Sequence, residues 1–191
     1  ATGMRYFVNV QTIAIDVSLV VKAKGFARQV TPTVGSPWGG YRDTNQFNLQ
    51  KIEKDHYVSK IGEEAVRIVF EKLGRQVQGP DYQIYKEKQK SWGSDLYIDG
   101  RGLAVKTQAA SLAKKFGLSW TFQAGNNRKD PILNHLEAWV CFVQFNEITR
   151  QCAVYPPYQI KELAFGEPKL DRLKGSKMVV YAENLPVIGN S

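Results

Sequence analysis

The chain has 191 residues and a formal charge of +8, from 26 lysines and arginines against 18 acids. Hydrophobic residues make up 43% of it, enough for a core of its own, which excludes a disordered chain. The cation excess favours an anionic partner, either nucleic acid or an acidic membrane surface.

No apolar run reaches the ~18 residues of a membrane span. Val17 to Val21 is bounded by Asp16 and Lys22 and is too short for a signal-peptide core. Ala1-Thr2-Gly3 precede Met4 and read as added residues, with the native start at Met4. No linker or repeat divides the chain, so a single domain over 1–191 is expected. Residues 4–25 are apolar and β-branched and fit helix or strand. Residues 31–47, rich in Gly, Pro and polar groups, read as a loop. From Val58 the period becomes helical: Ile61, Ala65, Ile68, Val69 and Leu73 share one face. A helix is predicted from about 59 to 73, with Ser59 as N-cap and Gly74 as the stop. Strands are predicted at 75–78, 82–86, 95–98, 103–107 and 118–123, rich in Val, Ile and Tyr. Residues 137–145, EAWVCFVQF, form the most hydrophobic strand and belong at the centre of a sheet. A strand at 151–155, a short helix near 158–164 and a last strand at 178–181 complete an α/β or α+β chain.

Chemistry concentrates in Ser94 to Gln108. Asp99-Gly100 is a strong hairpin signal. With a two-residue turn, Ile98 faces Arg101 and Asp95 faces Ala104; with a four-residue loop, Asp95 faces Lys106. Period two sends Leu103 and Val105 to one face, and Ala104, Lys106 and Gln108 to the other. A carboxylate beside a lysine on a strand end can bind Mg²⁺ and steady a phosphate oxygen. It can equally be an exposed cross-strand ion pair.

The segment resembles the active-site hairpin of the PD-(D/E)xK nucleases, the superfamily of type II restriction endonucleases. Asp95 matches the family's Asp, although Ser94 stands in place of the proline, and Lys106 matches the Lys. Gln108 occupies a position often polar in the family, and Glu63 or Glu64, the latter preferred, matches a glutamate supplied by the preceding helix. The resemblance covers about residues 56–182. It implies a mixed central β-sheet flanked by helices, and hydrolysis of double-stranded DNA with Mg²⁺ or Mn²⁺. The metal would be held by Asp95, Glu64 and Glu63. A cytoplasmic homodimer acting in restriction is the expected setting, with junction or repair nucleases sharing the core. Pro80-Asp81 is a second "PD" but reads better as a turn. His56 and His135 stand alone, away from any second ligand at metal spacing.

One position departs from the pattern. Ala104 stands where the family has a metal-binding acid two residues before the lysine. Three readings follow: an acid replaced by alanine, an acid moved to Glu63, Glu64 or Glu87, or a non-catalytic nucleic-acid-binding module on the same scaffold. For target choice, two polar segments offer side chains suited to base edges: Arg42, Asn45 and Gln46 in the first, Asn126, Asn127 and Arg128 in the second. Lys129, Lys114 and Lys115 suit phosphates.

Overall fold

The computed structural model describes residues 3–31, 49–84, 94–126 and 128–189. The ambiguous stretch 4–25 divides. Strand β1 spans Gln11–Ala14, and helix α1 spans Val17–Val30. Ala23 and Ala27, one turn apart on α1, are wholly buried, and their small side chains let α1 lie close on the next helix. That helix, α2, runs over Leu49–Lys72 and so begins well before the expected Ser59, which sits inside it. The added turns form because Ile52, Tyr57 and Val58 are buried, with the Tyr57 ring edge-on to Phe145 at 5.8 Å. Dense charges between these apolar residues hide that stripe in the sequence. The end is as expected: Gly74 takes a left-handed φ of 78°, and the Arg75 N–H returns to the Phe70 carbonyl at 3.0 Å.

Among the described residues, three α-helices accompany a curled mixed sheet of seven strands, an α+β fold. β2 (Val77–Gln78), β3 (Leu96–Ile98) and β4 (Arg101–Ala109) form an antiparallel meander. The short helix α3 (Ala110–Phe116), not anticipated from the sequence, then leads to β5 (Ser119–Gly125) and β6 (Arg128–Lys129). β7 (Trp139–Asn146) returns parallel to β4, followed by β8 (Gln151–Val154) and β9 (Tyr158–Gln159), both antiparallel to β7. The main sheet runs β1-β8-β7-β4-β3-β2, with β9 also on β7; β10 (Lys177–Tyr181), β5 and β6 form a separate three-stranded sheet.

Two expected elements differ. Residues 82–84 are not a strand, because Tyr82 turns its ring to Phe26 (5.6 Å) instead of joining a ladder; 85 and 86 lie outside the described residues. The helix expected at 158–164 is only a 3-10 turn at Ile160–Glu162. Tyr158 is paired with Val140 in the sheet, and Gln159 and Glu162 cap the turn reciprocally.

β7 is buried on both faces, as its composition predicts. Cys141, Val143 and Phe145 join the core under α2; Val140 and Phe142 face the small sheet. There Trp120 stacks on Phe142 at 4.6 Å and donates its indole N–H to the Val143 carbonyl. The two thiols are free and buried on neighbouring strands. Cys152 sits opposite Phe145 rather than Cys141, and burial pushes its thiol up to about 12 and raises Cys141 likewise.

α2 meets β4 at Gly62. A β-carbon built there would fall 1.7 Å from Thr107 Oγ1, which is buried without a hydrogen-bond partner among the described residues. Alanine normally favours a helix over glycine by about 1 kcal/mol. Here the clash decides the sign, and Gly62→Ala should destabilise by about 1–3 kcal/mol in urea unfolding. Thr107→Ala in the same chain should restore part of the loss; a more stable Gly62→Ala would overturn the contact.

Candidate active site

The geometry of the hairpin follows from its turn. Asp99 and Gly100 have φ of 48° and 83°, the two positive values that a two-residue turn between twisted strands demands. The Asp99 carboxylate accepts from the Gln76 N–H at 2.9 Å and from Arg75 at 3.3 Å, which ties the turn to the chain leaving α2. Ile98 therefore pairs with Arg101 and Leu96 with Leu103, selecting the register that sets Asp95 beside Ala104. Asp95 Oδ2 accepts the Val105 N–H at 2.8 Å, just where the β3 ladder stops.

Period two then sorts β4. Leu103 and Val105 enter the core beneath α2, and Ala104 packs against the cluster around Phe122 and Phe142. Lys106 follows Ala104. Its ammonium lies 4.5 Å from the Phe122 ring centroid and 3.0 Å from Asp130 Oδ2, with both side chains about three-quarters buried (27% and 23% exposed). Gln108 reaches the same side but is fully engaged: it donates to the Gly117 carbonyl and accepts from the Ser119 N–H, both at 3.1 Å. It braces the turn between α3 and β5.

The helix glutamates behave differently. Through Gly62, α2 packs on the Thr107 face of β4, opposite the face that carries Lys106. Glu63 and Glu64 are both buried, so neither is a solvated surface acid. Glu63 pairs with Lys60 at 3.2 Å. Glu64 pairs with Arg67 at 2.8 Å and accepts the Tyr82 hydroxyl at 3.2 Å. These bonds fasten residues 79–84 onto α2, with Lys60 also donating to the Asp81 carbonyl.

Asp130 was not singled out by sequence reasoning. Its local signal is an Asp before Pro131, a helix-start pattern, and its Oδ1 does accept the Ile132 N–H at 3.2 Å to cap a 3-10 turn. Its pairing with Lys106 joins positions 24 apart and leaves no local trace.

For a divalent ion, the donor set present is thin. A magnesium site wants octahedral oxygen ligands, usually with one or two carboxylates and several waters. Alanine at 104 offers no oxygen from its side chain, one Asp95 oxygen is taken by a backbone N–H, and Asp130 is bonded to Lys106 and Ile132. Among the described residues no three His, Cys, Asp or Glu side chains come together as a metal site. The described residues, as they stand, do not fit the metal that the resemblance implies.

Of the expected DNA-facing residues, Arg42, Asn45, Gln46 and Asn127 lie outside the described residues, as does Glu87. Asn126 is exposed in the turn between β5 and β6. Arg128 opens β6, and Lys129 is exposed and donates to Asn134 Oδ1 at 3.1 Å. Lys114 and Lys115 are exposed in the last turn of α3.

Burial, and next the Glu64 charge, raises the Tyr82 hydroxyl above its ordinary value near 10. A folded-state value raised in this way gives stability that is full below about pH 10 and is lost as pH rises towards the folded value. Melting temperature should thus fall more steeply above pH 10 in the native chain than in Tyr82→Phe. At neutral pH that variant should lose about 1 kcal/mol. Parallel pH profiles would show that Tyr82 is not held by burial and Glu64.

No protein-family model matches the chain, nor does a curated protein or a solved structure. Its own side chains therefore carry the functional reading: a hairpin that aligns one acid, one lysine and an alanine between them.

Proposed function

We propose that the chain is a double-stranded DNA-binding protein of the restriction-endonuclease type, acting as a homodimer, whose catalytic hairpin lacks one acid. The observation that carries this reading is the register: Asp95 is fixed beside residue 104, and residues 104 and 106 share a strand face. A carboxylate at 104 would stand between Asp95 and Lys106, the order of the PD-(D/E)xK pattern. In phosphodiester hydrolysis the Lys106 ammonium would offset the charge that develops on the phosphate oxygens as water attacks. The net +8 and the exposed Lys114, Lys115 and Lys129 supply groups suited to the backbone. Two-fold symmetry is the simplest way to read a palindrome and cut both strands. Among the described residues no helix is long and apolar enough to cross a membrane.

A second reading, a binding module without catalysis, is favoured by Ala104 itself. The two separate in one experiment. The chain should bind duplex DNA with an affinity that falls steeply with salt, as bound cations release counterions. It should nick plasmid poorly in Mg²⁺. Ala104→Glu should bring Mg²⁺-dependent cleavage, and Lys106→Ala added to it should abolish that cleavage. Salt-independent or absent binding would sink the DNA reading. A folded, DNA-binding Ala104→Glu that cuts neither duplex nor four-way junction would favour the binding module.

A further inference from the structure

We propose that Asp130 is the positioning residue for Lys106 and couples its ammonium to the β5–β6 hairpin; the catalytic consequence rests on the nuclease reading above. Lys106 leaves β4 on the small-sheet face, against an aromatic and aliphatic cluster, and the other polar side chain of the strand there, Gln108, is engaged with Gly117 and Ser119. A long flexible side chain there has many rotamers and little to choose among them, except the Phe122 ring and one carboxylate. That carboxylate is unusually well fixed. The Asp130 N–H donates to the Gln123 carbonyl at 2.8 Å, directly beyond the Ala124–Lys129 pair that closes the hairpin. Oδ1 caps the 3-10 turn at Ile132, and Oδ2 faces Lys106. Asp130 is thus held from both sides of the chain and offers a single oxygen to the lysine.

The same residue ends the segment that carries Asn126 and Lys129. A displacement of this hairpin by a bound duplex would move the Gln123–Asp130 bond and with it the partner of Lys106. Placement of the lysine is thereby linked to occupancy of the surface that carries Asn126 and Lys129.

The chemistry supplies a clean variant. Asparagine caps a helix start about as well as aspartate, so Asp130→Asn keeps the bond to Ile132. It removes the charge from the arm that meets the ammonium, and with the cap retained it can turn an amide donor towards a donor. Thermal unfolding should remain a single cooperative transition, with its midpoint lowered because the mostly buried Lys106 ammonium loses its carboxylate. Two readouts follow on the full chain. In Ala104→Glu, adding Asp130→Asn should lower kcat on the order of 10- to 100-fold, the scale of a misplaced catalytic group. KM for DNA should stay within about twofold, since the ion pair contributes position rather than binding. Asp130→Glu should recover part of kcat.

The second readout needs no cleavage. NMR of the lysine ammonium groups should show a Lys106 signal displaced by the Phe122 ring, distinguished by mutation from those of Lys22, Lys60 and Lys169, which also lie over rings. It should be absent in Lys106→Ala and move to the position of the exposed lysines in Asp130→Asn. If Ala104→Glu cuts nothing, the nuclease reading fails and the catalytic consequence goes with it, while the ammonium signal still decides the tether. A Lys106 signal unmoved by Asp130→Asn, or an unchanged kcat in an active Ala104→Glu background, would overturn the proposal.

Discussion

The two-residue turn at Asp99-Gly100 is the constraint on which the rest depends. A β-ladder has a side-chain period of two, so a slip of one residue in the β3–β4 pairing would exchange the faces of every partner. The turn forbids that slip because only two positive-φ residues fit between the strands, and Asp99 is additionally bonded to Gln76 and Arg75. From this register follow the place of Asp95 beside 104, the bond from Val105 and the division of β4 into two faces. Thr107 can then meet Gly62 of α2 while Lys106 meets Phe122 and Asp130.

β7 is largely buried and β4 is half-buried between α2 and the small sheet, so charged side chains that lose water there gain from a partner inside the protein. An unpaired buried charge costs several kcal/mol, so each must find a partner inside the protein. Lys106 and Gln108 are the polar side chains of β4 on the small-sheet face, and both are matched, one by a carboxylate and one by two backbone groups. The same logic explains Glu63 and Glu64. Buried on α2, they are matched by Lys60, Arg67 and Tyr82, and their carboxylates serve to fix residues 79–84 rather than to meet Asp95.

Local chemistry was the legible part of this chain. Asp99-Gly100, the left-handed stop at Gly74, the alternation along β4 and the doubly buried β7 each follow from a few adjacent residues, and each stands as the residues imply. The early start of α2 was hidden because charged residues separate Ile52, Tyr57 and Val58, and Tyr57 is buried against Phe145, far away in the chain. Tyr82 has the composition of a strand, yet a hydroxyl near a buried glutamate outweighs one ladder bond. In the site, the sequence left two registers open, Asp95 facing Ala104 or Lys106, and the pairing of Ile98 with Arg101 takes the first. The Asp130 partner could not be written down, since it depends on how the β5–β6 hairpin folds back over β4.

The two thiols have a practical consequence. Cys141 and Cys152 are buried in the core, and desolvation holds both as protonated thiols far above neutral pH, whereas alkylating reagents attack the thiolate. The folded protein therefore presents no reactive sulfur to a maleimide. A cysteine introduced on an exposed position such as Ile148 becomes a unique handle for a dye or spin label without removal of the native pair. Conversely, the time course with which Cys141 becomes modifiable measures how often the central strand opens, a clock for the core that needs no knowledge of what the protein binds.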